Sequence, residues 1–371
     1  MAKENIVRKS AALELSHVSV GKKVLLYHLG WRNRLYAMAG LGLLLVLVIV
    51  LTSAIGSTHI SLSTVGTMLL ARLPFVEIPT AWADSLEIII FDIRLPRVML
   101  AGLVGAALAV AGATYQGLFR NPLADPYLIG VAQGAALGAV IGFLLPVSWH
   151  IASFGLIPLL AFAGALMAVA VVYAVARVGK TLPMTTLILA GVALGAFLAS
   201  ITSYLVITSG EKLHGILTWL LGSFSLARWG EVMVVLPYVL VGTVVIWLYA
   251  RPLNVMQLDE EQAQQLGINV ERVKLILLAA ATLITAAAVC FCGTIGFVGI
   301  IIPHAVRLIW GPDHRFLLPL STLAGASFLI LADATARTVM APAEIPIGVI
   351  TAFLGAPFFL FLLRQKRRAI F

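Results

Sequence analysis

Residues 275–310 read LILLAAATLITAAAVCFCGTIGFVGIIIPHAVRLIW, 36 residues in which only His304 and Arg307 interrupt the apolar character. A bilayer core about 30 Å thick is crossed by about 20 helical residues, so this stretch is too long for one span. Two glycines, Gly293 and Gly296, lie near its middle and lower the helix propensity there. We therefore expect the chain to fold back at residues 292–296 and to form two spans.

The whole chain shares this apolar composition. Of its 371 residues, 61% are hydrophobic and 11% are charged, with a mean hydropathy of +1.04. Soluble domains carry about 25% charged residues, which excludes a soluble globular protein and a disordered one. Counting the opening stretch as two, ten apolar runs are candidate spans: 36–58, 98–119, 127–149, 151–176, 182–210, 232–250, the two halves of 275–310, 316–332 and 345–363. Glycine-rich runs such as 102–107 and 134–138 predict closely packed helices.

The distribution of Lys and Arg tests the number of spans. With ten spans, 19 of them lie on the side of both termini and 6 on the other, whereas nine spans give 14 and 11. Basic loops favour the cytoplasmic side, so we expect an all-α protein of the cytoplasmic (inner) membrane with ten transmembrane helices and both termini cytoplasmic. Residues 1–34 form a basic cytoplasmic tail and residues 35–371 the helical domain. The net charge of +9 is then explained by basic residues in the cytoplasmic loops and does not indicate binding of nucleic acid.

The loop at residues 251–274 carries an acidic segment between two spans. Asp259, Glu260 and Glu261 open a short helix-like stretch that Gly267 ends. Acidic residues in a first turn suit the positive end of the helix dipole. A helix lying on lipid usually has a basic polar face, so a docking surface for a cytoplasmic protein is favoured over an interfacial helix.

Charged residues also mark the opposite side. Arg94 and Arg97 flank Pro96 at the entrance to the second span. They are either interfacial anchors that extend to water or a positive spot for an acidic partner. Asp333 and Arg337 lie four residues apart, which permits an ion pair within one helix.

The chain shows no source of energy or catalysis of its own. No series of carboxylates lies inside the spans, which weakens the alternative of an ion- or proton-coupled secondary transporter. A phosphate-binding loop ending in Gly179-Lys180-Thr181 would need glycine at residue 174, which is alanine. The histidines show no i, i+4 pair, so we expect no metal site, no cofactor and no enzymatic activity.

Several motifs resemble those of the FecCD family of permeases. They occur in order over about residues 35–368: Arg94-Leu95-Pro96-Arg97, Asn121-Pro122-Leu123-Ala124-Asp125-Pro126, residues 296–304 (GFVGIIIPH), Gly311-Pro312-Asp313-His314-Arg315, Leu331-Ala332-Asp333, Glu344-Ile345-Pro346-Ile347-Gly348 and Leu354-Gly355-Ala356-Pro357. These permeases are membrane subunits of ATP-binding-cassette (ABC) importers for ferric siderophores, haem and cobalamin.

The resemblance implies a set of partners and a cargo. Two permease copies surround a pathway, two cytoplasmic ATPase subunits use ATP, and an extracytoplasmic binding protein delivers the cargo. Alternating access then moves an iron chelate, either a ferric siderophore or haem, into the cytoplasm, with cobalamin as the alternative. Which chelate is carried, whether the permease pair is a homodimer or a heterodimer, and which side is open at rest are left undecided.

The resemblance also assigns roles to residues in three regions. A coupling helix within residues 251–272 that seats in the ATPase includes Leu258, Glu260, Glu261, Ala263, Leu266 and Gly267. Docking of the binding protein falls to Arg94, Arg97 and Arg337. The cytoplasmic gate of the pathway includes Asn121, Leu123, Thr185 and Thr186.

Overall fold

The computed structural model describes residues 30–56, 60–72, 82–146, 150–151 and 154–367, and this part of the chain is almost entirely helical. Its helices are α1 Trp31–Ala54, α2 Leu62–Ala71, α3 Asp84–Leu118, α4 Val131–Leu144, α5 Leu156–Ala176, α6 Met184–Ile207, α7 Leu213–Leu220, α8 Trp229–Leu248, α9 Ala250–Met256, α10 Glu260–Gln265, α11 Val270–Cys292, α12 Val298–Trp310, α13 His314–Thr338 and α14 Ile347–Arg367. Two-residue strands, β1 His150–Ile151 and β2 Phe154–Gly155, form an antiparallel hairpin with His150 opposite Gly155. Residues 1–29 of the predicted tail lie outside the described residues.

Each of the ten predicted runs overlaps at least one of these helices. Within the described ranges, α1, α3, α5, α6, α8, α11 and α13 are long and apolar enough to cross a membrane. The helices α4 and α12 are apolar but shorter, as is the part of α14 over Ile347–Leu360. The predominantly helical fold is therefore confirmed, while the count of ten spans and the cytoplasmic termini stay predictions.

The second span begins earlier than expected. Helix α3 starts at Asp84, continues through a π-helical segment at Ile89–Arg94 and ends at Leu118, whereas the apolar run begins only at residue 98. Charged residues such as Asp84 and Glu87 lie in its first turn, where a helix N-terminus favours acidic groups. Helix α2 lies between α1 and α3, so the polar stretch between the first two apolar runs is partly helical.

The fold-back predicted for the opening stretch is confirmed. Helix α11 ends at Cys292 and α12 begins at Val298. Between them Gly293 has φ +74°, and a Cβ atom there would overlap the carbonyl oxygen of Trp219. Only glycine satisfies both conditions, because it tolerates positive φ and allows close backbone approach.

Backbone and side-chain polar groups at this break form hydrogen bonds with the end of α7 and the irregular segment that follows it. The N–H of Ser223, which follows α7, donates to the carbonyl of Cys292 at 2.9 Å. The Thr294 hydroxyl donates to the carbonyl of Leu220 at 2.6 Å. Non-helical backbone inside a membrane protein is tolerated only where such partners exist.

Helix α3 forms the centre of the core. It packs against α13, α11, α12 and α8, and its residues from Leu95 to Leu118 are almost all buried. The closest approaches occur at glycines: a Cβ on Gly105 would overlap the carbonyl of Gly325 in α13, and one on Gly112 would overlap that of Gly299 in α12. Helices in lipid associate through such close packing.

Candidate functional site

The short acidic helix in the 251–274 loop is present as α10. Asp259 is its N-cap, with Oδ1 accepting the Glu260 N–H at 2.6 Å. The helix ends before Gly267, which has φ +82°. Glycine suits this left-handed conformation because it lacks a Cβ atom. The Ile268 N–H donates to the carbonyl of Ala263 at 3.0 Å and closes the last turn.

Helix α10 has one buried face and exposed leucines at both ends. Ala263 is fully buried, whereas Leu258 is 69% exposed and Leu266 is 68% exposed. Glu261 and Gly267 are exposed as well, and Glu260 is half-buried. Two exposed leucines beside carboxylates provide apolar contact area and charge for another protein.

A buried lysine attaches α10 to α11. Lys274 is 2% exposed, and its Nζ lies 2.7 Å from Glu260 Oε2 and 3.0 Å from Glu271 Oε1. The same Nζ donates to the carbonyl of Leu182 at 3.3 Å. The N–H of Leu182 in turn donates to Glu271 Oε2 at 2.8 Å. A buried ammonium needs such partners, because its desolvation is otherwise uncompensated.

The predicted gate residue Asn121 lies just after the C-terminal end of α3. Its exposed side chain accepts the Leu123 N–H at 3.0 Å, which shapes the turn, and Leu123 is half-buried. Arg120 adopts φ +49°, so the helix stops here. Pro122 and Pro126 lie four residues apart and prevent a continuous helix here, so a turn is followed by a 3₁₀ helix over Pro126–Ile129.

The other two predicted gate residues lie in the first turn of α6. Thr185 is exposed and Thr186 is half-buried. Helix α6 packs on the 3₁₀ turn after Asn121, and the approach is so close that a Cβ on Gly191 would overlap the carbonyl of Leu128. The 3₁₀ helix that follows Asn121 and Leu123 is therefore in direct contact with the helix that carries Thr185 and Thr186.

Asp125 lies in the same loop. Its Oδ1 accepts the Tyr127 N–H at 2.8 Å and caps the 3₁₀ turn. Burial raises the pKa of Asp125 to about 6, because the charged form loses hydration, and the backbone hydrogen bond offsets only part of this shift. Asp125 and Gly191 also line a cleft of about 400 Å³ between the loop and α6.

The predicted docking arginines form a buried charge cluster. Arg97 Nη2 lies 2.9 Å from Asp333 Oδ1, and Arg97 Nη1 lies 2.8 Å from Glu344 Oε1. Arg337 Nε lies 3.1 Å from Asp333 Oδ2, so the predicted i, i+4 ion pair is confirmed. The Glu344 side chain is 39% exposed and marks the outer edge of the cluster.

Arg94 and Arg337 also bind the end of α1. Arg94 Nη1 donates to the carbonyls of Ser53 and Ala54, each at 2.9 Å. Arg337 donates to the carbonyls of Thr52 and Ile55, each at 3.3 Å. Guanidinium groups suit the unpaired carbonyls at a helix C-terminus. The alternative that Arg94 and Arg97 are interfacial anchors extending to water is not supported, because both side chains are buried.

Sequence reasoning missed several residues of these sites. Lys274, Glu271 and Gln257 hold the 251–274 loop against neighbouring segments, and Glu344 completes the charge cluster around Arg97. A local signal existed for Lys274, which follows Glu271 by three residues at the entrance to an apolar run. Leu182 lies 92 residues before Lys274 in the chain, so no local sequence pattern could predict the contact between them.

Comparison with known proteins decides the family. The chain matches the FecCD transport family over residues 44–365. This chain belongs to the FecCD transport family. It is thus a membrane-spanning permease subunit of an ABC importer, located in the cytoplasmic membrane, and the ATPase is a separate subunit.

Individual FecCD relatives match along most of their length. The cobalamin import system permease of Halobacterium salinarum is 44% identical over 88% of this chain and 95% of that protein. The hemin transport system permease of Yersinia pestis is 39% identical over 88% of this chain and 96% of its own length. A solved inward-facing metal-chelate type ABC transporter superposes with a TM-score of 0.76 at 32% identity, covering 88% of this FecCD chain and 98% of that one.

Proposed function

We propose that this permease translocates a bulky metal chelate from outside the cell into the cytoplasm. The observation that carries this proposal is the likeness, along nearly the whole chain, to permeases named for two different chelates, cobalamin and hemin. An iron chelate is the first candidate cargo, as the family resemblance implies. Cobalamin is the second, favoured by the 44% identity to the Halobacterium permease.

The energy for transport comes from two ATPase subunits that bind the coupling helix α10. The exposed leucines at its ends, Leu258 and Leu266, and the carboxylate of Glu261 support this role, because they offer contact area on a rigid element. ATP binding moves α10, and two alternative packings of the helices open one side of the membrane while closing the other.

A second copy of the chain completes the pathway. Helix α6 supports this proposal because it carries the gate residues Thr185 and Thr186 and leaves large apolar side chains exposed, among them Leu189, Phe197 and Tyr204. In the dimer, Asn121, Leu123 and the two threonines of each copy close the cytoplasmic end. Both copies contact membrane lipid on their remaining faces.

Docking of an extracytoplasmic binding protein at Arg94, Arg97 and Arg337 also remains a proposal. All three guanidinium groups already have partners within the chain. A carboxylate of the binding protein therefore has to displace Glu344, the most exposed member of the cluster. Because Glu344 contacts Arg97, that arginine is the first of the three that a partner would reach.

Uptake by the complete importer tests the cargo. The permease is reconstituted in vesicles with its ATPase and binding protein, and ATP-dependent entry of radiolabelled haemin, a ferric siderophore and cyanocobalamin is compared. We expect saturable uptake of one of these chelates. Failure of all three would reject the metal-chelate proposal, and uptake driven by an ion gradient without ATP would favour a secondary transporter.

A further inference from the structure

The segment just before α10 contacts the C-terminal end of α3. The Gln257 side chain donates from Nε2 to the carbonyl of Gly117, in the last turn of α3, at 2.8 Å. The same carbonyl accepts the Arg120 N–H at 3.2 Å. A second contact, between Arg120 and Asp259 at 3.6 Å, is solvent-exposed and adds little on its own.

The connection to α6 is stronger because it is buried. Lys274 contacts Glu260 at the start of α10 and also the carbonyl of Leu182. Both backbone groups of Leu182 are held, the carbonyl by Lys274 and the N–H by Glu271. A displacement of Glu260 therefore either moves Lys274, and Leu182 with it, or separates the Lys274–Glu260 ion pair and leaves the buried ammonium with Glu271 as its remaining carboxylate partner. The separation is unfavourable because the lysine is buried.

Leu182 is joined to α6 through a stiff connection. It is buried, and Pro183 follows it as the N-cap of α6. Proline fixes its own φ near −65° and restricts the residue before it to extended backbone. Movement at Leu182 is thereby passed to the first turn of α6, where Thr185 lies.

We propose that Lys274 and Gln257 are positioning residues that transmit movement of the coupling helix to the cytoplasmic ends of α6 and α3. Lys274 carries the movement to α6 through Leu182, and Gln257 carries it to α3 through Gly117. This inference rests on the proposed function, since it assumes that α10 binds the ATPase and that Asn121 and Thr185 belong to the gate.

The test follows gate movement directly in the complete complex. Thr185→Cys is introduced, the complex with its ATPase and binding protein is placed in lipid nanodiscs, and the rate of labelling by a charged maleimide is measured without nucleotide and with ATP, Mg²⁺ and vanadate. The native Cys290 and Cys292 are buried, and the protein that retains Thr185 gives their background. We expect the labelling rate to depend on nucleotide in the Thr185→Cys protein, which is the parent for the variants that follow.

Lys274→Met should remove this dependence while ATP hydrolysis by the assembled complex continues. The matched control is Lys180→Met, which removes the same charge from an exposed lysine two residues before Leu182 and should keep the nucleotide dependence. Glu260→Gln is the second variant, because it weakens the same contact from the other side and leaves the buried lysine in place. The double variant should behave like Lys274→Met alone, since both changes interrupt one connection.

Two results would overturn the inference. The first is a labelling rate in Lys274→Met, or in Glu260→Gln if the former does not assemble, that responds to nucleotide as in the Thr185→Cys parent. The second is an equal loss in Lys180→Met, which would mean that cytoplasmic charge rather than the Lys274 contact matters. If the Thr185→Cys parent itself shows no nucleotide dependence, Thr185 does not belong to an ATP-driven gate and the inference is overturned, whereas the proposed function stands or falls by the chelate-uptake experiment.

Discussion

Arg97 and Asp333 are 236 residues apart in the chain, yet Arg97 Nη2 lies 2.9 Å from Asp333 Oδ1 and both side chains are buried. Arg97 belongs to α3 and Asp333 to α13, so the ion pair joins the central helix to one of its principal neighbours. Arg337 shares the same carboxylate, and Asp333 is thus the anion between two guanidinium groups.

Asp333→Asn should strongly destabilise the protein. The substitution keeps the shape of the side chain but leaves two buried arginines with less compensating charge, and removing one partner of a buried pair costs about 3–5 kcal/mol. Thermal unfolding in detergent measures the effect. Glu344→Gln is the comparison, because the Glu344 side chain is 39% exposed and its loss should cost less. Equal melting temperatures for the two variants would contradict this role of Asp333.

Gly112→Ala should destabilise the packing of α3 on α12. The added Cβ would overlap the carbonyl of Gly299, and forcing extra atoms into a packed core costs about 1–3 kcal/mol. Gly42→Ala in α1 is the control, since a Cβ there meets no atom within 4 Å. Because alanine has the higher helix propensity, the control should be neutral or slightly stabilising. The prediction fails if both variants shift the melting temperature in the same direction.

Asp125→Asn should raise stability at high pH only. The folded pKa of Asp125 is about 6, above its ordinary value, so between about pH 4 and 6 the folded chain binds more protons than the unfolded chain. Stability of the parent therefore falls as pH rises through this window. Asparagine does not ionise and keeps an oxygen for the Tyr127 N–H.

Melting temperatures of the parent and Asp125→Asn at about pH 4.5 and about pH 8 check this prediction. At the higher pH the variant should have a higher melting temperature than the parent, and this difference in melting temperature should be smaller at the lower pH. A difference that stays the same at both pH values would show that the ionisation of Asp125 is not responsible.

Leu258→Ser together with Leu266→Ser should weaken binding of the ATPase without loss of permease stability. Both side chains are about two-thirds exposed, so their removal leaves no cavity in the fold. Co-purification with the ATPase measures the association. Leu226→Ser, an exposed leucine in the loop before α8, serves as control and should retain the ATPase. Full retention by the double variant would exclude the two leucines from the docking surface.

The fold and site were predictable where the signal is local. Span length and two glycines located the break after Cys292, because both properties are read within one stretch of chain. The Asp333–Arg337 pair followed from helical spacing alone. The early start of α3 at Asp84 was missed, since a search for charge-free runs discards charged helical turns.

Contacts between distant segments could not be predicted in this way. Nothing near Arg97 indicates that Asp333 and Glu344 will surround it, and nothing near Lys274 indicates Leu182. Burial is likewise a property of the assembled bundle. The local sequence around Arg94 and Arg97 is compatible with exposed or with buried side chains, and only the packing of α1 and α13 around them makes them buried.

This permease provides the pathway, and a separate ATPase subunit provides the energy. The most direct measurement compares chelate uptake into vesicles that contain the permease alone with uptake into vesicles that contain the permease, its ATPase and the binding protein, each with and without ATP. We predict uptake only by the complete complex with ATP. Uptake by the permease alone, without nucleotide, would contradict the account.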